Sequence, residues 1–235
     1  KFTKEANEEA LKNFDKAIEA DVNNAQAYAW KVCTLGQAMF RGFSDRKPEE
    51  IFAEAKQNID KALELNENDF ECHRMLSAVY LSNHDYLLAE DHGRKAFNMV
   101  PNDPRVLSGY GEVLVRTGKV EKGLELLNKA YELDPIPQGQ SSSDNRFKDL
   151  ILGYFFASDY NKVVELSFDI RIMDERTLCL VLYSRSKLNQ DIKSSNEYKL
   201  LYSQFKDIEW EKSVDRFHIQ DEIVKSELLS FIKNI

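Results

Sequence analysis

Histidine and cysteine are the side chains of this sequence best suited to bind a metal ion, and several of them lie in one stretch. Cys72 and His73 are adjacent, and His84 and His92 follow. A structural zinc site needs four ligands that converge in a tetrahedron, usually supplied by closely spaced CxxC or HxxxH pairs. The sequence contains neither pair, so we predict no metal site and interpret these residues as core and surface side chains.

Covalent catalysis would need a Ser or Cys nucleophile beside a histidine that is itself oriented by a carboxylate. The four histidines are scattered along helical patterns and indicate no such group. Gly109-Tyr110-Gly111 begins like a dinucleotide-binding loop, but Leu114 stands where the third glycine belongs and a helical pattern precedes it. We therefore predict no enzymatic activity and no cofactor.

The remaining signal is a repeat, in which similar residues recur every 34 positions. Ala62, Ala96 and Ala130 are 34 residues apart, and so are Pro101 and Pro135. The stretches 70–103 and 104–135 share one template: small residues at Ser77 and Gly111, large ones at Tyr80 and Leu114, and a turn at His84 and Gly118. Small side chains allow two helices to approach closely where they cross, and large ones fill the space beside them.

This period and pattern resemble the tetratricopeptide repeat, or TPR, a helix-turn-helix unit that stacks into a solenoid. The resemblance implies an all-α fold, a right-handed TPR superhelix with a C-terminal helical cap. We expect a solenoid of four to five helix pairs over residues 1–190 and capping helices over 191–235, where the 34-residue rule fails. The cap should contain a helix that carries Trp210, Val214 and Phe217 on one face.

Three departures from the template modify this prediction. An 11-residue insertion around residues 41–50 should lengthen the loop within one repeat, at small entropic cost. The Gly- and Ser-rich stretch 136–145 should form a long loop between repeats, or else a linker between domains. The first element matches only the second helix of a repeat, so we expect the chain to be a piece of a longer protein.

In tetratricopeptide arrays the first helix of each unit lines a concave groove. Counting along those helices selects Arg74, Arg105, Arg116 and Lys148 as cations, against the anions Glu71 and Glu112. This excess of positive charge favours an acidic peptide or helix as ligand. The alternative is an ordinary solvated face of mixed charge. The predicted peptide-binding residues are Arg74, Arg105, Glu112, Arg116, Lys148 and Phe155.

One form of peptide recognition is not expected. Repeat domains that clamp the C-terminal carboxylate of chaperones use a Lys and Asn pair in their first unit, and this chain has Ala29 and Cys33 at those places. Without that pair the clamp is incomplete.

Composition excludes several other classes. The chain has 32 basic and 40 acidic side chains and a net charge of −8, so it lacks the basic surplus that direct nucleic-acid binding requires. Its longest apolar run, residues 150–157, is too short for a membrane span, and no secretory leader is visible. Three widely spaced cysteines indicate free buried thiols in a reducing compartment, so we expect a cytoplasmic location. A membrane span upstream of Lys1 would make it periplasmic.

The insertion, the run ELDPIPQ after a regular repeat and the helical tail make the chain similar to the C-terminal repeat region of certain bacterial signalling proteins. In those proteins an adenylate or guanylate cyclase domain or a winged-helix transcriptional regulator domain precedes the repeats. The resemblance implies a non-enzymatic protein-binding or sensory arm of a larger regulator. The alternative is a stand-alone scaffold or assembly adaptor that self-associates through the apolar helix at 177–188.

Overall fold

The computed structural model of the chain describes residues 3–40, 42–137 and 144–235. These ranges contain thirteen α-helices and no strand, so the prediction of an all-α fold is confirmed. The chain divides into two compact units, Lys1–Pro101 and Asn102–Ile235. The predicted start of the cap at residue 191 lies inside the second unit.

The first unit contains five helices, and each packs against the next along the chain. Its core is formed by residues on facing helices, with Ala29, Ile59, Ala62 and Cys72 fully buried. Of the stretch 41–50 in which the insertion was predicted, residues 42–47 lie between α2 and α3, residues 48–50 begin α3, and residue 41 lies outside the described residues. The helices are α1 (Lys4–Ala20), α2 (Ala25–Phe40), α3 (Pro48–Leu65), α4 (Phe70–Ser82) and α5 (Tyr86–Met99).

The second unit contains eight helices, and its helix pair α6–α7 starts 34 residues after α4–α5. The predicted loop at 136–145 ends at α8, and its residues 138–143 lie outside the described residues. The helices are α6 (Pro104–Arg116), α7 (Val120–Leu133), α8 (Asn145–Phe156), α9 (Tyr160–Ser167), α10 (Glu175–Lys187), α11 (Asn196–Gln204), α12 (Trp210–Asp215) and α13 (Glu222–Asn234).

The 34-residue period is visible in the helix ends. Asp69 and Asp103 directly precede α4 and α6 and cap them. Each carboxylate accepts hydrogen bonds from two backbone N–H groups of the first helical turn, which have no partner within the helix. His84 and Gly118 occupy the turns after these helices, with φ values of 60° and 84°. The predicted turn positions are therefore confirmed, and the second repeat uses the residue that suits a left-handed conformation best.

Helix α10 is the centre of the second unit. It packs against α8 and α9 on one side and against α11, α12 and α13 on the other. Every side chain from Thr177 to Ser184 is buried as a result. This corrects the prediction that the apolar helix at 177–188 is a self-association surface, because its apolar residues are covered by the chain itself.

The C-terminal helices follow the prediction only in part. The helix expected to carry Trp210, Val214 and Phe217 ends at Asp215. Phe217 lies beyond the helix and is nevertheless 2% exposed, because the chain after α12 turns into the core formed with α8 and α10.

Candidate functional site

The first-helix residue predicted in the first unit is Arg74, on α4. Its side chain is partly exposed and donates to Glu71 at 2.8 Å, so it is a paired cation. Further along the predicted face of this unit, Ala29 is fully buried, and Cys33 is half-buried with its thiol accepting from Gln37 Nε2 at 3.8 Å.

Polar side chains of α6, α8 and the start of α10 surround a cavity of about 300 Å³ in the second unit. We call it the α6–α8 pocket. Two of the six predicted residues, Glu112 and Lys148, line it. The full lining is Ser108, Glu112, Asn145, Lys148, Asp149, Asp174 and Arg176.

Hydrogen bonds at the starts of α8 and α10 hold the residues of this pocket in place. Asp174 caps α10, because one carboxylate oxygen accepts from the backbone N–H of Thr177 at 2.8 Å. Its other oxygen accepts from Lys148 Nζ at 2.8 Å, which ties α8 to the start of α10. Asp144 accepts from the backbone N–H groups of Arg171 and Ile172 and so fixes the turn before α10 against α8.

Two carboxyl groups from different helices lie close together at the pocket floor. Asp149 Oδ2 accepts from the Ser108 hydroxyl at 2.6 Å and from Arg146 at 3.5 Å. Burial, together with the negative charge of Glu112, raises the pKa of Asp149 to about 7. Although burial opposes it, the guanidinium groups of Arg116 and Arg176 hold the pKa of Glu112 below its usual value.

Arg116 and Phe155 were predicted on an open groove, and the structure places both in the interior. Arg116 is 3% exposed and its guanidinium donates to the backbone carbonyl of Phe217. Phe155 is 5% exposed and its ring packs edge-on against Tyr183. The segment after α12 therefore covers Arg116, and α10 covers Phe155, which repeat counting could not indicate.

Arg105, at the other end of α6, remains on the surface with a side chain 39% exposed. Its guanidinium reaches back to Asp103 at 2.8 Å, the carboxylate that caps the same helix. The open part of the face in this unit therefore runs from Arg105 to the α6–α8 pocket.

Sequence reasoning missed Asp149, Asp174 and Arg176. Asp174 carried a usable signal, since an aspartate before an apolar helical stretch is a typical helix cap. Asp149 and Arg176 carried none, because only the packing of α8 and α10 against α6 brings them to Glu112.

Two of the three histidines considered as metal ligands do meet. His73 Nε2 lies 3.1 Å from the backbone carbonyl of Glu67, which can only accept, so that nitrogen carries a proton. The other ring nitrogen of His73 therefore accepts from His92 Nδ1 at 2.8 Å. His84 lies in the turn and stacks on Tyr86. Among the described residues no three His, Cys, Asp or Glu side chains are placed to hold a metal ion.

The cysteines are free thiols. Burial raises the pKa of Cys72 and of Cys179 to about 12, so neither thiol ionises near neutral pH. Over the described part of the chain, no helix has the length and apolar character needed to cross a membrane.

Comparison with known sequences found two relatives, one of which is named as a repeat protein. The chain is 24% identical over 184 residues to Superkiller protein 3 of Schizosaccharomyces pombe, and 26% identical over 162 residues to a TPR repeat-containing protein of Dictyostelium discoideum. These matches cover 73% and 68% of the chain, and 12% and 60% of the relatives. No protein-family model matches the chain.

Comparison with solved structures found similar folds, one of them described as a TPR protein. A chain of the APC/C hetero-tetramer Cut9-Hcn1 aligns with a TM-score of 0.65 at 14% identity, over 97% of this chain and 40% of that one. Pseudomonas aeruginosa PilF aligns with a TM-score of 0.59 at 18% identity, over 88% of both chains. YrrB, described as a TPR protein with an unusual peptide-binding site, aligns with a TM-score of 0.50 at 22% identity, over 77% of this chain and 84% of that one. The chain therefore has the tetratricopeptide-repeat fold.

Proposed function

We propose that the chain is a non-enzymatic protein-binding module that takes a peptide or helix on the first-helix face of its repeats. The observation that carries this proposal is the polar α6–α8 pocket, a concave site built by first helices of a TPR fold. Protein binding is also what the fold suggests, and one structural neighbour is described as having a peptide-binding site.

Contact with the ligand in the second unit would come from Arg105, Glu112 and Lys148. Arg105 is exposed at the start of α6, and the other two line the pocket. A carboxylate-rich ligand fits the cationic groups on this face through charge-assisted hydrogen bonds. Arg74 is proposed as a contact of the same kind on the first unit alone.

A larger context is part of the proposal. The module would serve as the interaction or sensory arm of a signalling or transcriptional regulator. The chain spans 12% of the length of its relative Superkiller protein 3. Reading the gene upstream of the codon for Lys1 tests this. A cyclase or winged-helix domain there supports the arm, whereas a start codon within a helix length favours the alternative, a stand-alone assembly adaptor.

Selection of peptides tests the binding function directly. A displayed random-peptide library is selected on the full chain, and the affinities of the selected peptides are measured by fluorescence anisotropy. Arg105→Glu reverses a charge on the proposed face, and we expect it to weaken binding about tenfold.

Arg94→Glu is the matched control. Arg94 lies on the second helix α5, is exposed, and pairs with Asp91 at 2.6 Å much as Arg105 pairs with Asp103. We expect the control to bind like the unmodified chain. Equal losses from both reversals would contradict the proposed face, and failure to select any peptide would contradict the function.

A further inference from the structure

Hydrogen-bond donors in the α6–α8 pocket outnumber the partners that the described residues provide for them. Lys148 has three N–H donors, and one of them is donated to Asp174 Oδ2 at 2.8 Å. Within the described part of the chain, the structure gives the Arg176 guanidinium one ion pair, to Glu112 at 3.6 Å, which is longer than a hydrogen bond. The side chain of Arg176 is 24% exposed, so these donors are accessible from the cavity.

The acceptors of the pocket, in contrast, are largely occupied. Both oxygens of Asp174 accept short hydrogen bonds, from Thr177 and Lys148. Asp149 Oδ2 accepts from Ser108, and Glu112 Oε1 lies 3.3 Å from Arg116 and 3.6 Å from Arg176. A guest that supplies acceptors is therefore better matched than one that supplies donors.

The volume of the α6–α8 pocket is large enough for a whole side chain, and not only for a small ion. The cavity of about 300 Å³ is roughly ten times the 30 Å³ that one water occupies in the liquid. A carboxylate with two methylene groups fits in it, with the oxygens between Lys148 and Arg176.

From this geometry we propose that the α6–α8 pocket binds a single carboxylate side chain of the protein partner between Arg176 and Lys148, and that Asp149 takes up a proton when it does. The proposal rests on the protein-binding function above and adds the chemistry of the group recognised.

The protonation of Asp149 follows from its burial and from the charges around it. Those are Glu112 and Arg116 from α6, Asp134 after α7, Arg146 and Lys148 from α8, and Asp174 and Arg176 at the start of α10. A carboxylate guest adds a negative charge beside Asp149 and favours its neutral form further. Binding of an anion is then tighter below the Asp149 pKa of about 7 than above it. A cationic guest would show the opposite dependence.

The probe is N-acetyl-glutamate amide, titrated into the full isotope-labelled chain and followed by NMR at pH 6 and pH 8 at constant ionic strength. N-acetyl-glutamine amide is the neutral control ligand and N-acetyl-lysine amide the cationic one. We expect the glutamate probe to shift resonances of Ser108, Lys148 and Arg176, with a dissociation constant about fivefold larger at pH 8.

Three variants sharpen the test. Arg176→Gln should weaken binding of the glutamate probe about tenfold, because it removes the charged donor. Asp149→Asn has nearly the same shape and should keep binding but remove its pH dependence. Arg216→Gln removes an exposed arginine of the same unit that pairs with Glu175 and does not line the pocket, and it should change neither.

Several results would overturn the proposal: no shifts in the pocket resonances, equal shifts from the glutamine probe, or tighter binding at pH 8. The pH dependence of the unmodified chain needs no variant and so remains informative if a variant unfolds. If selected peptides bind but ignore pH and Arg176→Gln, this inference fails and the binding function stands. If the glutamate probe binds as expected but no peptide can be selected, the pocket chemistry stands and the binding function fails.

Discussion

The two regular helix pairs, α4–α5 and α6–α7, solve the same packing problem with different chemistry. At the small positions of the first pair, the Ser77 hydroxyl donates to the Ala89 carbonyl at 2.7 Å. The equivalent residues of the second pair are Gly111 and Gly123, whose backbones pack against each other. The shared 34-residue period therefore requires a small residue at these positions. It does not determine whether the contact is a side-chain hydrogen bond or a direct backbone approach.

The same contrast recurs one helical turn earlier. His73 and His92 join α4 to α5 by a hydrogen bond between their rings, whereas the residues 34 positions later are Leu107 and Leu126, both buried in the second unit. A polar pair and an apolar pair occupy the same place in the template. The stability of the first pair should therefore depend on pH through these two histidines. The second pair has leucines at the same positions, so its stability there depends on packing alone.

The largest effect on stability is expected from adding a side chain at the glycine contact between α6 and α7. A Cβ atom at Gly123 would lie 2.6 Å from a Val115 methyl and 2.8 Å from both the Gly111 carbonyl oxygen and the Val115 backbone nitrogen. The backbone atoms cannot move aside cheaply, so we expect Gly123→Ala to lower the free energy of unfolding by about 2–3 kcal/mol. Urea denaturation followed by circular dichroism measures it.

Gly109 provides the matched control on α6. A Cβ atom there meets nothing within 4 Å, so Gly109→Ala should raise the free energy of unfolding by about 0.5–1 kcal/mol through the smaller entropy of the unfolded chain. If Gly123→Ala proved as harmless as Gly109→Ala, the close approach of α6 and α7 would be wrong.

The histidine pair predicts a pH-dependent difference between the two helix pairs. Burial, together with the charge of His73, lowers the pKa of His92 from 6.5 to about 4, and burial also lowers the pKa of His73. Between those two pH values the unfolded chain binds more protons than the folded one, so stability should fall as the pH drops through that window. We expect a loss of roughly 2 kcal/mol from this pair by pH 4.

The double variant His73→Leu, His92→Leu gives the first pair the residues of the second. Carboxylates elsewhere also titrate over this range, so the measured quantity is the difference in unfolding free energy between the variant and the unmodified chain at pH 7 and pH 4. The variant should gain relative stability as the pH falls. A constant difference would show that the two histidines take up protons equally in the folded and unfolded chain, and that burial does not lower their pKa values.

Features of the fold that depend on nearby residues could be predicted from the sequence, whereas features that depend on packing between distant helices could not. The helix starts at Asp69 and Asp103, the turns at His84 and Gly118, and the small residues at Ser77 and Gly111 all follow from short-range chemistry and a fixed period. Burial of α10 depends on five other helices, so an apolar pattern alone could not distinguish a core helix from a self-association surface.

The site was less accessible to prediction for the same reason. Counting along first helices found Glu112 and Lys148, because both lie on the predicted face. It also selected Arg116, which the C-terminal segment covers, and Phe155, whose ring packs against Tyr183 of α10, and it omitted Asp149 and Arg176. Which part of a repeat face stays open is decided by distant residues, such as Phe217, which lies 101 positions after Arg116 and accepts a hydrogen bond from it.

The smallest expected effect comes from removing the Ser77 hydroxyl. It tests whether the first helix pair depends on a hydrogen bond where the second depends on close packing of two glycines. Ser77→Ala keeps a side chain that fits and removes only the hydroxyl that donates to Ala89. Since a buried hydrogen bond of this kind contributes about 1 kcal/mol net, the free energy of unfolding should fall by about that amount. The measurement is the same urea titration, with Ser82→Ala as control, because Ser82 is partly exposed and its hydroxyl donates within its own helix to Ala78. A loss as large as that expected for Gly123→Ala would mean that Ser77 is a packing residue first, and that the first pair of helices is held together as the second is, by fit rather than by hydrogen bonding.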